Sequence, residues 1–356
     1  MRSSDRALIR DVASVLAVPK RDVAGSFVLH ASLELLARSG LLAIVPDHGR
    51  EAARARLRWL ASTYEAAGDP VEEPPSVEPD PRRLSAALAA GDLDVVDAQA
   101  VALAKVATVA GLREILAGPI VTSLAAAAHG GILLHLLVRE NPGGDLPLGL
   151  VRQALRELAR HPTWQLRWFE DPDDPAVTSA LEDALLDVPF LGMPGSNFIY
   201  PLMRQAEDSG IAPKLLRGLR LDPSEAERVL GRVAAWSMLQ EPDEHVPYGW
   251  THCLTMPQAT ARLADVSPHA IQVAATYTVG FRAAEGAVTL DPSGHVPAAE
   301  DVGTLAAFAA AHEDAHLAKY VLACVDAATH DPAMRQLYHA AATRLANWWR
   351  AQPATA

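Results

Sequence analysis

The stretch TLAAFAAAHEDAHLAKYVLACVDAATHD, residues 304–331, decides how the rest of the chain is read. It holds no Gly or Pro and is rich in Ala and Leu, so helix is its favoured backbone. At 3.6 residues per turn, His312, His316, Lys319 and Tyr320 share one face, with Glu313 and Asp314 off it. Two imidazoles a turn apart are a natural metal clip. The same letters read as H-E-x-x-H, the motif of a zinc hydrolase in which His312 and His316 bind metal and Glu313 is the base. Three features weigh against that motif. Asp314 puts a charge where such motifs usually have none. The extended form needs Gly and His at positions that hold Lys319 and Leu322. The other common form uses a downstream Glu, and none follows Glu313. A third reading makes both histidines part of a solvated helix face in a metal-free binding or structural protein.

The surrounding chain predicts an all-α protein. Helical spacing runs through 4–17, 26–39, 49–67, 83–90, 93–117, 121–140, 146–160, 176–187, 198–210, 223–239, 256–264, 268–284 and 304–350. Pro- and Gly-rich joints separate these segments, among them NPGG at 141–144 and GMPGS at 192–196. The acidic, Pro-rich stretch 69–83 reads as a surface connector within one domain spanning 1–356.

Composition narrows the function. The chain has 356 residues, half of them hydrophobic, which is ample for a large core. A net charge of −12 and the absence of a basic, aromatic-laced cluster argue against nucleic acid as a partner. Two cysteines suit a reducing compartment better than a disulfide scaffold. The beginning, MRSSDRALIRDVASVL, has no apolar signal core. The most apolar window, Ile120 to Val138, contains His129, Gly130, Gly131 and His135, and reads as a buried helix rather than a membrane span. The expectation is a cytoplasmic protein without membrane contact.

Several of the 13 histidines sit in apolar settings. His30, in SFVLHASLELLARSG, faces partly inward on a helix closed by Gly40. His129 opens HGGILLH behind a run of alanines, whose small size lets another element or a ligand come close. His135 points away from it on one straight helix. His252, in VPYGWTHCLTMPQAT, falls just ahead of a helix start at the Thr255–Gln258 capping box, or within a continuous helix kinked at Pro257. His48, His161, His245, His269, His295, His330 and His339 read as surface residues. For a substrate pocket, the segment VPFLGMPGSNFIYPLMRQAE (188–207) stands out. Asn197 is placed to hydrogen-bond a carbonyl, and Phe198 or Tyr200 to stack on a flat ring; Trp250 is a further candidate.

The segments FVLHASLELLARSG, AAHGGILLH, GWTHCLTMPQA and HEDAHLAKYVLACVDAATHDPAMRQLYHAAATRLANWW, in this order along most of the chain, resemble the questin oxidase-like family. The resemblance implies a largely helical fold and oxidative chemistry on aromatic polyketides such as anthraquinones, with ring opening by oxygen insertion from O2. One branch of that family implies a mononuclear non-haem iron held by four histidines and a lysine carboxylated on its side chain. Carried onto this chain, the Fe(II) shell draws on His30, His129, His252, His312, His316 and Lys319, five histidines for four places, with His129 either a ligand or a substrate contact. Some members are associated with NADPH, yet no G-x-G-x-x-G follows a predicted strand here. The expected partners are a small aromatic substrate and O2.

Overall fold

Alanine, leucine and arginine lose little freedom in a helix, and the described residues form seventeen α-helices and no strand. The computed structural model describes residues 2–22, 26–170, 180–195, 198–217, 222–240, 242–243, 249–286 and 295–353. The first half comprises α1 (Ser3–Leu16), α2 (Ser26–Leu42), α3 (Arg50–Ala66), α4 (Pro81–Ala90), α5 (Leu93–Val106), α6 (Val109–Val121), α7 (His129–Glu140) and α8 (Arg152–Arg160). The second comprises α9 (Leu181–Leu186), α10 (Ile199–Asp208), α11 (Ile211–Leu216), α12 (Pro223–Gln240), α13 (Gly249–Ala261), α14 (Ala270–Glu285), α15 (Val302–Ala311), α16 (Ala315–His330) and α17 (Arg335–Ala351).

At the centre, α2 packs on α7, α7 on α13, α13 on α16, and α16 back on α2. These four helices form a closed ring, and each is buried along most of its length. Gly130 and Gly131 permit the closeness. A Cβ on Gly130 would lie 3.1 Å from Ile120 and one on Gly131 3.2 Å from Thr260. One apolar core takes in side chains on both sides of the Pro-rich connector, from Ile9 and Leu57 to Leu84 and Leu345. The connector itself is docked. Val71 N–H donates to the Pro19 carbonyl at 2.8 Å, and Asp80 N–H to Gln99 Oε1 at 2.7 Å. A smaller cluster around Trp168, Leu185, Leu230 and Val279 flanks α14.

Three predicted helices prove divided. The segment 93–117 breaks where Thr108 caps α6, its Oγ1 accepting from Gly111 N–H. In the segment 121–140, α6 ends at Val121 and four alanines at 125–128 make a tight turn, so α7 starts only at His129. The segment 304–350 is three helices, because Asp314 caps α16 and Asp331–Pro332 ends it. Conversely, α13 starts at Gly249 and runs through Pro257, so the continuous alternative holds and His252 lies inside a helix. Among the described residues, no helix is long and apolar enough to cross a membrane.

Candidate metal centre

One histidine from each helix of the central ring reaches a common point: His30 from α2, His129 from α7, His252 from α13 and His316 from α16. Their ligand-type nitrogens all lie within 4.8 Å of one another. Each ring comes from near the N-terminal end of its helix, His129 being the first residue of α7 and His316 the second of α16. Four positive dipole ends therefore converge, which disfavours protonated imidazole and favours a negatively charged neighbour.

The rings are oriented from behind. His30 Nδ1 lies 2.7 Å from the Ser26 carbonyl, and His129 Nδ1 2.8 Å from the Ala126 carbonyl. His316 Nδ1 lies 3.1 Å from Asp314 Oδ1. Oxygen acceptors at those distances require Nδ1–H, leaving the Nε2 lone pair to face the cluster. The carbonyl that serves His129 comes from a strained turn. Ala126, Ala127 and Ala128 all have positive φ, at 51°, 51° and 54°, which L-residues adopt at a cost. Alanine is a side chain small enough to bear this while still letting helices close around it.

Such an arrangement suits a cation. His129 Nε2 stands 3.1 Å from His252 Nε2, and the buried His30 Nε2 has no hydrogen-bond partner among the described residues. Burial, followed by the neighbouring Lys319, holds His30 and His129 well below the usual imidazole range, and the same two causes act on His316. Protonation of these three rings is thus disfavoured, as a metal-binding role requires. Lys319, one turn beyond His316 on α16, is buried and places Nζ 3.3 Å from His129 Nε2. Burial pulls its amine down to about 7, against the opposing pull of Asp314 and Glu34. The residues present fit a divalent metal held by imidazoles, with a neutral amine at its side.

His312 does not join them. It sits at the C-terminal end of α15 in extended conformation, φ −65° and ψ 150°. Its Nδ1 accepts from Asp314 N–H at 3.0 Å, and its ring packs on Phe308 and Trp349, with centroids 5.2 and 4.9 Å away. The expectation that His312 and His316 lie one turn apart on one helix is corrected here. Asp314 caps α16 through His316 N–H at 2.6 Å, and that cap takes residues 312–314 out of the helix. The helical H-E-x-x-H geometry is consequently not formed. His129, open in the sequence between ligand, a contact behind the ligands and a substrate contact, is the fourth histidine of the cluster.

Above the cluster lies a cavity of about 580 Å³, to which all four histidines contribute. Its walls include Leu29, Trp164, Phe281, Met193 and Phe198, with Glu157, Glu285 and Asp314 as carboxylates. Phe198 borders the cavity and is 72% exposed. Tyr200 stands behind the wall, its ring stacked on Trp164 at 4.2 Å, while His161 stacks on the same Trp164 at 4.1 Å. Trp250 is completely buried in the apolar core and does not line the cavity, which corrects its expected role. Asn197 lies outside the described residues. Sequence reasoning missed His161 and Trp164, in the link after α8, and Phe281 and Glu285, one turn apart on α14, because only the packing of these two distant elements brings the pairs to one wall. His135 points the other way, as expected, with Nε2 3.8 Å from Asp326.

Fold and site together define an all-α protein with a buried four-histidine cluster under an aromatic-walled cavity. No protein-family model, no curated protein and no solved structure matches the chain.

Proposed function

We propose that this protein is a non-haem iron oxygenase that cleaves a carbon–carbon bond of a flat, electron-rich aromatic molecule of the aromatic polyketide or anthraquinone class, using O2. The observation that carries the reading is the meeting of four imidazole donors and a buried amine beneath an aromatic-walled cavity of about 580 Å³. His30, His129, His252 and His316 hold the ion. Lys319 completes the set as a carboxylated side chain. Its amine nitrogen attacks the carbon of CO2, an N–C bond forms, one C–O π pair moves to oxygen, and an N–H proton leaves to a neighbouring base or water. The product is an anionic oxygen donor at the convergence of four helix N-termini, where negative charge is favoured.

Iron(II) bound there supplies the one-electron chemistry that lets ground-state O2 react with an aromatic carbon. The chain does the rest. Trp164, backed by Tyr200 and His161, offers a rigid aromatic wall, and Phe198 and Phe281 add faces for a planar ring. The apolar walls exclude water from the reacting carbon. Glu157 and Glu285 are placed to accept hydrogen bonds from phenolic hydroxyls. When both oxygen atoms enter the product, no outside reductant is needed. NADPH would be required only for a reaction that reduces one of them to water.

The zinc hydrolase alternative lacks its second histidine at the cluster, and a metal-free packing role does not account for four imidazoles from four helices meeting within 4.8 Å. Metal analysis of the purified protein decides among the three. Iron near one equivalent supports the oxygenase, zinc a hydrolase, and no metal a binding protein. Lys319→Ala is expected to lose bound iron, whereas Glu313→Gln keeps both iron and O2 consumption. Full iron occupancy in Lys319→Ala would remove the carboxylated lysine from the proposal.

A further inference from the structure

Asp314 performs two tasks that can be separated. Its Oδ1 accepts the His316 backbone N–H at 2.6 Å, capping α16, and the same oxygen lies 3.1 Å from His316 Nδ1. The loop that carries it is clamped from outside. Arg38 of α2 donates to the carbonyls of Ala309, Ala310 and His312 at 2.9, 2.7 and 2.6 Å. Arg56 of α3 donates to the Glu313 carbonyl at 2.6 Å. Glu34 accepts from both guanidiniums, at 2.9 Å from Arg38 and 2.8 Å from Arg56. Since α2 also carries His30, one helix supplies an imidazole and steadies the loop that aims a second.

We propose that Asp314 is a positioning residue of the metal centre, locking the Nδ1–H form of His316 and aiming its Nε2 at the other three imidazoles. This rests on the metal-centre reading above. A carboxylate behind Nδ1 fixes the ring's rotation and makes Nε2 a stronger donor. Backbone carbonyls do this for His30 and His129. For His316 the task falls to a side chain, so it can be removed without altering the backbone. The cap alone does not require it, because a shorter hydroxyl serves a helix start equally well.

The test is titration of cobalt(II) chloride into the metal-stripped, full-length protein against a competing chelator, with the visible cobalt bands recorded. Asp314→Ser keeps a capping oxygen but is too short to reach Nδ1, and Asp314→Asn keeps an acceptor without the charge. Both metal-free variants are expected to melt within about 2 °C of the parent, since Ser and Asn cap as well as Asp. Asp314→Ser is expected to bind cobalt about 10-fold more weakly or worse, with shifted bands, and Asp314→Asn to recover most of both. Parental affinity and unchanged bands in Asp314→Ser overturn the positioning role and leave Asp314 a cap only. A parent protein that binds no cobalt overturns the metal-centre reading itself, so the two failures are distinct.

Discussion

His312 and His316 stand four residues apart, and only one of them reaches the cluster. The difference lies in a single carboxylate. With Asp314 as N-cap, His316 enters the first turn of α16 and points inward, while His312 is left on an extended link against Phe308 and Trp349. Replacing His312 by Ala should therefore leave metal stoichiometry intact and cost about 1 kcal/mol through lost ring packing. His252→Ala, by contrast, should reduce the bound metal sharply. Metal analysis alongside thermal melting of the two variants checks the contrast, and metal loss in His312→Ala would return the clip to the motif reading. At this scale His30, His252 and His316 stood out only as histidines in apolar or helical settings, and grouping them with Lys319 came from what the family resemblance implies. The exclusion of His312 could not be read from the sequence, because a cap is a choice between two local hydrogen-bond patterns of similar strength.

Between elements, the decisive feature is the joint from α15 to α16. Arg38 is wholly buried, and burial draws its guanidinium down to about 10 even with Glu34 beside it. Three carbonyls at the end of α15 and in the following link depend on it. Arg38→Leu strands those carbonyls and weakens the neutralisation of Glu34, so a loss of about 3–5 kcal/mol is expected. Chemical denaturation measures it, and a loss under about 1 kcal/mol would show that the clamp contributes little. Helix content was plain from composition, but the joints were not. Alanine-rich sequence allows a helix to continue through 312–314. Stopping there is favoured by the Asp314 cap together with Arg38 of α2, 271 to 274 residues away in sequence.

For the whole molecule, gathering unprotonated imidazoles in one place links stability to pH. His30, His129 and His316 are held well below 6.5 by burial, and His135 is lowered to about 3 by burial and the nearby Arg262. In the window from 6.5 down to those depressed values the unfolded chain binds more protons than the folded one, so stability rises with pH there. Lys319, lowered from 10.5 to about 7, acts in the same direction between those two values. The metal-free protein should thus be most stable in mild alkali and lose stability steadily as the pH falls below 6.5. Binding of a divalent ion to the folded state alone should raise the melting temperature and, because the ion displaces the protons the folded site still carries, steepen this dependence near neutrality. Calorimetric scans of metal-free and metal-loaded protein across that range test the claim, and a metal-free melting temperature that stays flat below 6.5 would count against it.

What pattern and composition established was the helical class and which histidines lie in apolar or helical settings. Those are properties of local spacing and of side-chain preference for helix, which neighbours in sequence suffice to set. Which four imidazoles meet, that Trp250 belongs to the core and Trp164 to the cavity wall, and that His312 turns away, were settled only by packing. Each depends on contacts between helices remote along the chain, where burial and one buried arginine outweigh any local preference.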